Sequence, residues 1–483
     1  MAKIKAKNYT FPSQTVSDSV KKTQEYGLSV GRAIEQEWFN KDNNGVSRFY
    51  NSREECHRLR LYARGEQSIR KYKDEFATNG DLSYLNLDWK PVPIVPKFVD
   101  IVVNGMQDRT FTIKAIGQDP ISTGKRTKFV NDVQQDLNTA DLLEKIEGKL
   151  GVSARNFAVN ELPANTEELE LYMQINYKQG IEIAEEQAID NIFKSNGYDQ
   201  TKRRIDYDIA TIGIGCAKHG FNNTDGVVVE YVDPANLVWS YTDDPNFEDC
   251  YYFGEVKNIK VNELKKEFPD LPNSEIEQLV KEGSNWNTYN TYSPQDNQVN
   301  DSLSQNNTLT VLYFNWKTWE HDVYKIKEVA TGAKKAIEKD DSFDPPEDSV
   351  RFEKVKQTRE VIYEGVLVLG TQQLLKWQKA TNMVRPNANI NKVMMNYVAS
   401  APRMYKGNIN SLVAKMTPYA DLVQLTHLKL QQAIQRMTPS GVYLDADGLA
   451  EIDLGNGNNY NPQEALNMYF QTGSVIGRSL TVE

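Results

Sequence analysis

Residues 122–127, STGKRT, look like the end of a phosphate-binding loop, in which backbone amides cradle phosphate and a hydroxyl after the lysine holds magnesium. Six residues separate Gly117 from Gly124, however, and Arg126 stands where the hydroxyl belongs. A surface turn accounts for the stretch, and no ATPase follows. Gly213-Ile214-Gly215 is half a dinucleotide fingerprint: Lys218 occupies the third glycine's place, and a helix precedes the turn instead of following it. It reads as a tight helix exit. Asp243, Asp244, Glu248 and Asp249 could be cation ligands or paired catalytic carboxylates, but the calcium-loop spacing and its glycine are missing. Aspartates beside Pro234 and Pro245 suit turn capping. The four histidines, His57, His219, His321 and His427, stand apart, with no HExxH and no Ser/His/Asp grouping. Cys56, Cys216 and Cys250 form no CxxC pair, so neither a zinc module nor a disulfide framework is expected. These residues point to no catalytic site, no cofactor and no metal.

Two groups point instead to contact surfaces. Trp316, Trp319 and Trp377 interleave with Lys317, Lys376 and Lys379. Such mixing can stack single-stranded bases. With acidic surroundings and no RNP-type signature, it reads as the rim and core of a protein–protein surface, with Trp316, Trp319, Trp377 and Lys379 as candidates. The second group lies on MTPYADLVQLTHLKLQQAIQRMTPSG, one strong helix with Thr417 as N-cap and Pro418 at its first position. About twenty residues make a rod of roughly 30 Å. Its few ionic positions mean that much of it must touch other helices. Lys415, Lys429 and Arg436 are sparse cations that could touch DNA phosphates transiently, or form ordinary ion pairs.

The elements that must position these residues can be read from periodicity. Ser17 to Phe76 is helical and charged, with Cys56, Leu59 and Tyr62 on one face and Arg53, Arg58, Arg60 and Arg64 mostly elsewhere, as a solvated or ion-paired face. Prolines 91, 93 and 96 force an extended entry to an apolar helix over Phe98–Val103, which Gly105 ends. Thr110–Ile116 alternates as a strand, and residues 166–196 form an acidic helix with a stripe of Ile181, Ala184, Ala188, Ile189 and Ile192. Residues 283–308 are rich in Asn, Ser, Thr and Gln and read as a linker, and residues 337–349 are a second, acidic break. Around them, TLTVLYFNWKTW, DVYKIKEVATG and RFEKVKQTREVIYEGVLVLG are strand-like, giving a compact α+β module.

The whole chain has 483 residues, 39% hydrophobic and 25% charged, enough for about two to four domain-sized units. Its formal net charge of −10 argues against a conventional DNA binder, though not against a protein past which DNA must slide. Its 25 tyrosines suit interfaces. MAKIKAKNYTFPSQ has no apolar stretch behind its lysines, and no run reaches membrane-spanning length, so a soluble protein made in the cytoplasm is expected.

The order of elements carries a resemblance. An extended, apolar and glycine-ended YLNLDWKPVPIVPKFVDIVVNGM is followed by DYDIATIGIGCAKHGF and then by VEYVDPANLVWSYTDDPNFEDCYYFGEVKNIKVNELKKEFPDL. This series of helix, glycine turn, strand, V-D-P step, Asp-rich turn, strand and helix ending Phe-Pro resembles the body of tailed-bacteriophage portal proteins. The nearest likeness is to short-tailed phages of the crAss-like kind, over roughly residues 85–440. The resemblance implies an α+β subunit with an N-terminal helical arm at 1–90, a wing at 91–256, and a first stem helix from near Val261 with a polar linker at 257–307. A clip at 308–407, a second stem helix at 408–437, and a channel-side loop and return helix toward wing or crown at 438–483 would follow. It further implies a structural, non-enzymatic virion protein without a cofactor, assembling with itself into a ring that is usually a dodecamer. Its other partners would be terminase during packaging, head–tail adaptor and tail proteins, the major capsid protein and, transiently, duplex DNA, with no membrane. The rival class is a carbohydrate-binding or carbohydrate-active virion protein, suggested by tyrosines, tryptophans and acidic loops, which would need paired carboxylates in an aromatic cleft. A head–tail adaptor or internal virion protein is a third reading.

Overall fold

The computed structural model describes residues 10–41, 45–76, 87–108, 111–139, 142, 145, 146, 148, 149, 166–175, 177–222, 226–280, 308–328, 334–339 and 352–436, except 372 and 387. Helices α1 (Asp18–Lys21), α2 (Gln24–Phe39), α3 (Arg48–Arg64), α4 (Arg70–Phe76), α5 (Val95–Gln107), α6 (Pro120–Asn138), α7 (Thr166–Ile175), α8 (Gly180–Ser195) and α9 (Tyr198–Thr211) come first. Strands β1 (Gly215–Asn222), β2 (Gly226–Val232), β3 (Leu237–Trp239) and β4 (Tyr252–Lys260) lead into α10 (Val261–Glu267). Then come β5 (Thr308–Glu328), β6 (Lys334–Lys339), β7 (Phe352–Val368), β8 (Leu374–Lys379), β9 (Tyr397–Ser400), β10 (Met404–Tyr405), β11 (Asn408–Ile409) and α11 (Leu412–Arg436). The architecture is α+β. The chain divides into two compact units, residues 1–107, 201–223 and 230–483 in one and residues 108–200 and 224–229 in the other.

The larger unit is built on an antiparallel sheet in the order β3-β4-β5-β7-β8, with β6 pairing the far end of β5. β5 is one continuous strand where two strand-like runs were expected, and β7 follows it from Val311 opposite Val368 to Lys327 opposite Phe352. β4 pairs β5 from Tyr252 opposite Trp316 to Lys260 opposite Thr308. The sheet therefore runs straight across the expected wing–clip boundary. The N-terminal arm is not separate either. Val30, Ile34 and Trp38, four residues apart on α2, bury themselves with Leu312, Phe314, Trp316, Tyr363, Leu367 and Trp377 in one core.

Gly27 lets α2 come this close, since a Cβ there would sit 2.3 Å from the Trp377 ring. Under the helix, Trp38 Nε1 donates to Tyr252 Oη (2.9 Å), which donates to Glu37 Oε2 (2.7 Å).

A second, three-stranded sheet has the order β2-β1-β9. Gly213, at φ +97°, turns the end of α9 into β1, the tight helix exit read from the Gly-x-Gly spacing. Beside it, Leu59 and Tyr62 of α3, Val95, Val99 and Val103 of α5, Ala210 of α9, and Val413 and Ala420 of α11 make one apolar cluster. The proline-rich stretch before α5 is neither helix nor strand, with Ile94 N–H turning back to Val92 O (2.9 Å), and side chains of α11 satisfy part of its backbone. Val92 N–H donates to Gln424 Oε1 (2.8 Å), Asp88 N–H donates to Gln431 Oε1 (3.0 Å), and Gln424 Nε2 donates to Lys90 O (3.3 Å).

Several expected boundaries move. α5 starts at Val95 and passes through Gly105 to Gln107. α11 starts at Leu412, with Ser411 Oγ accepting from Ala414 N–H (2.9 Å), so Pro418 lies inside it and Thr417 is not the cap. Thr417 Oγ1 instead donates to Val413 O (3.0 Å). The expected first stem helix is only the seven residues of α10, followed by helical residues 273–280. Phe268 precedes Pro269 and so is steered out of the helical region, to φ −122° and ψ 76°. The linker proposed at 283–308 lies outside the described residues except Thr308, as do residues 340–349 of the acidic break and 437–483.

In the smaller unit, STGKRT is not a turn but the first part of α6, with Asp119 Oδ2 accepting from Ser122 N–H (3.0 Å). The helix expected over 166–196 is two, α7 and α8, and Gln179 with Glu182 caps the second. Residues 111–118, where a strand was expected, form no strand. Ala115 N–H donates to Glu186 Oε1 (3.0 Å) and Gly117 N–H to Glu182 Oε1 (2.9 Å), so carboxylates of α8 take the hydrogen bonds that a ladder would have supplied.

Candidate functional site

Burial separates the candidates. Trp316 and Trp377 are 1% and 8% exposed. Trp316 packs between Phe11 and Tyr251, and Trp377 stacks on Tyr363 at 5.1 Å while its Nε1 donates to Lys21 O (2.9 Å). Neither can form the surface of a partner site; they hold α2 and the N-terminal segment to the sheet. Trp319 is half-buried with the Lys21 ammonium 5.1 Å from its ring centre. Lys379 pairs with Glu320 (2.7 Å), which also accepts from Tyr363 Oη (2.5 Å). Spacing placed these four in one module, but burial makes them internal fasteners.

Lys415 and Lys429 lie on the exposed side of α11, and Lys429 reaches Glu75 at 3.7 Å. Arg436 closes the helix, and its side chain lies outside the described residues. On that same exposed side stand Tyr419, Leu422, Val423, Leu430 and Ile434, opposite the buried Val413, Ala420, Gln424 and Leu428. The helix thus carries two apolar faces, and among the described residues only one of them is covered. α5 repeats the pattern: Val95, Val99 and Val103 face inward, while Phe98, Ile101 and Val102 face out.

The acidic loop caps turns, as its composition suggested. Asp244 accepts from the N–H groups of Asn246 (3.2 Å) and Glu248 (2.9 Å), and Asp249 accepts from Thr242 Oγ1. Among the described residues no group of three or more His, Cys, Asp or Glu side chains is arranged to hold a metal. The cysteines are all buried, and burial pushes the Cys56 thiol up to about 12 and the Cys250 thiol up to about 11, which keeps them protonated and poor nucleophiles. No helix among the described residues is long and apolar enough to cross a membrane.

Three clusters went unnoticed in the sequence. Arg60 grips Asp233 in a bidentate pair (2.7 and 3.1 Å) and reaches Asp208 (3.1 Å), which also accepts from Tyr231 Oη. The V-D-P step was the available signal, since Asp233 also caps the turn at Ala235 (2.9 Å). Glu255 is buried between Lys218 and Lys257, each at 3.0 Å; burial would raise its pKa, but the two ammonium groups outweigh it and hold the carboxyl below its usual range. The third cluster is on the ribbon β6-β5-β7. Val323 stands opposite Lys339 and Lys356, and Lys325 stands opposite Ile337 and Lys354. Directly opposed residues share a face. Lys335, two residues from Ile337, joins that face, while Tyr324, Glu338 and Val355 lie on the other. Two K-x-K pairs, Lys325/Lys327 and Lys354/Lys356, were its signature in the sequence.

Comparison with protein-family models and with curated proteins finds no match to this chain.

Proposed function

We propose that this chain is a structural subunit of a phage portal ring at the capsid vertex, a conduit for duplex DNA in packaging and ejection that docks terminase and head–tail adaptor proteins. The resemblance in element order motivates the reading. The observation that carries it is the exposed apolar face of α11, Tyr419, Leu422, Val423, Leu430 and Ile434, repeated on α5 by Phe98, Ile101 and Val102. A side-by-side ring needs such helices, with one face seated in the subunit and one left for the neighbour. The chain's charge of −10 is consistent with a wall that does not hold DNA fast. Lys415, Lys429 and Arg436 are the sparse cations of that wall in this reading.

Negative-stain imaging with native mass measurement tests it. Closed rings with a central hole about the width of duplex DNA are the expected result. A monomer at every concentration, with no rings, would sink the proposal.

A further inference from the structure

The ribbon β6-β5-β7 carries Lys325, Lys335, Lys339, Lys354 and Lys356 on one face, with Val323 and Ile337 as the other described side chains and no carboxylate among them. All of β6 is exposed, as is Lys356. The chain as a whole is at −10, so this clustering runs against its composition. Lysines two apart on a strand lie roughly 7 Å from each other, and those on the strands flanking β5 are roughly 10 Å apart. The first spacing is close to that of successive phosphates along a nucleic-acid strand. Position by position, the ladder gathers two K-x-K pairs and a third strand on one face, around a Val323 that is itself fully buried.

We propose that this face binds the phosphate backbone of double-stranded DNA. Its chemistry selects that ligand in three steps. All five cations are lysines, point charges suited to phosphate contact without the bidentate fork that reads guanine. Base readout is unsupported, since the described face offers no Arg, Asn or Gln. Among the described side chains of the three-stranded ribbon this face offers no aromatic ring for stacking, which disfavours single strands; His321 lies one rung beyond it on β5.

Lys325, Lys354 and Lys356 already interact within the chain, so DNA must exchange those contacts. Asp340, Asp341, Asp344, Glu347 and Asp348 are tethered to the ribbon by the connection from β6 to β7 and are the natural competitors. The proposal needs only the ribbon, not a ring. It places the main DNA contact on the sheet instead of on Lys415 and Lys429.

The test is fluorescence anisotropy of a labelled duplex of about 30 base pairs with the full chain, across salt. If all five lysines engage, log affinity falls against log salt with a slope of about −4.5, a loss of about 500-fold between 50 and 200 mM. The variant K335E/K339E/K356E should flatten the slope by about 2.7, and K335Q/K339Q/K356Q, which adds no repulsion, should do the same. K415E/K429E should leave it unchanged. Neutralising the tethered acids, D340N/D341N/D344N/E347Q/D348N, should tighten binding. The proposal is overturned if neither the wild type nor the acid-neutralised chain binds duplex at 25 mM salt, or if the ribbon variants keep the wild-type slope. It is equally overturned if K415E/K429E flattens it as much, or if ribbon variants change native mass without DNA, which would make the face a contact between copies. Ring formation is scored separately by mass, so this proposal and the portal reading fail independently.

Discussion

Asp421 shows how a single side chain can hold two parts of the chain together. It projects from α11 and accepts hydrogen bonds from Tyr62 (2.8 Å) and Tyr72 (2.7 Å), with the Lys71 ammonium beside it. Burial would raise its pKa, but those three donors win and hold the carboxyl below the usual aspartate range. A depressed folded pKa means stability that is present above the unfolded value and lost as pH falls through the folded one. We therefore expect Asp421→Asn to cost about 1–3 kcal/mol at pH 7, as for hydrogen bonds to a charged group. In urea unfolding, the gap to wild type should be complete above about pH 4 and close below it. A gap that persists undiminished at pH 2 would show that the carboxylate charge is not what matters.

At the scale of the element, close packing outweighs intrinsic preference. Gly27 sits in α2, where alanine would be favoured by about 1 kcal/mol. Its Cβ would meet the buried Trp377 ring at 2.3 Å, and overpacking costs about 1–3 kcal/mol. Gly27→Ala should thus be net destabilising by up to about 2 kcal/mol once the two are set against each other. Gly124, in α6, has nothing within 4 Å of the same position, so Gly124→Ala should stabilise its helix by up to about 1 kcal/mol. Hydrogen exchange on the two helices separates the two effects, and protection rising in both would contradict the packing at Trp377.

For the whole molecule, the question is what covers the outer faces of α5 and α11. Leu422 and Leu430 are 61% and 57% exposed, so charged replacements should leave the monomer's stability within about 0.5 kcal/mol. In the portal reading they abolish assembly. Leu422→Asp with Leu430→Asp is expected to give a folded monomer by sedimentation velocity under conditions where wild type forms rings. Rings that survive this double change would place the contact between subunits elsewhere.

Element type was largely legible in this chain because it rests on local pattern. The Cys56/Leu59/Tyr62 face, the helix exit at Gly213, the strands β2 and β4 and the turn-capping aspartates all follow from periodicity and turn chemistry within a few residues. Helix starts were less so, because Thr417-Pro418 and Ser411 offer competing caps and packing of Val413 decided between them. What spacing could not reveal was which side of an element is covered. Trp316 and Trp377 looked like a contact surface until α2 closed over them, and Asp233 looked like a turn residue until Arg60 arrived from 173 positions away. The lysine face likewise needs the register of three strands, since a shift of one residue would scatter its charges to both sides of the ribbon. Local sequence determined where helices and strands form; long-range pairing and burial, which depend on distant residues meeting, decided which side chains are left to face a partner.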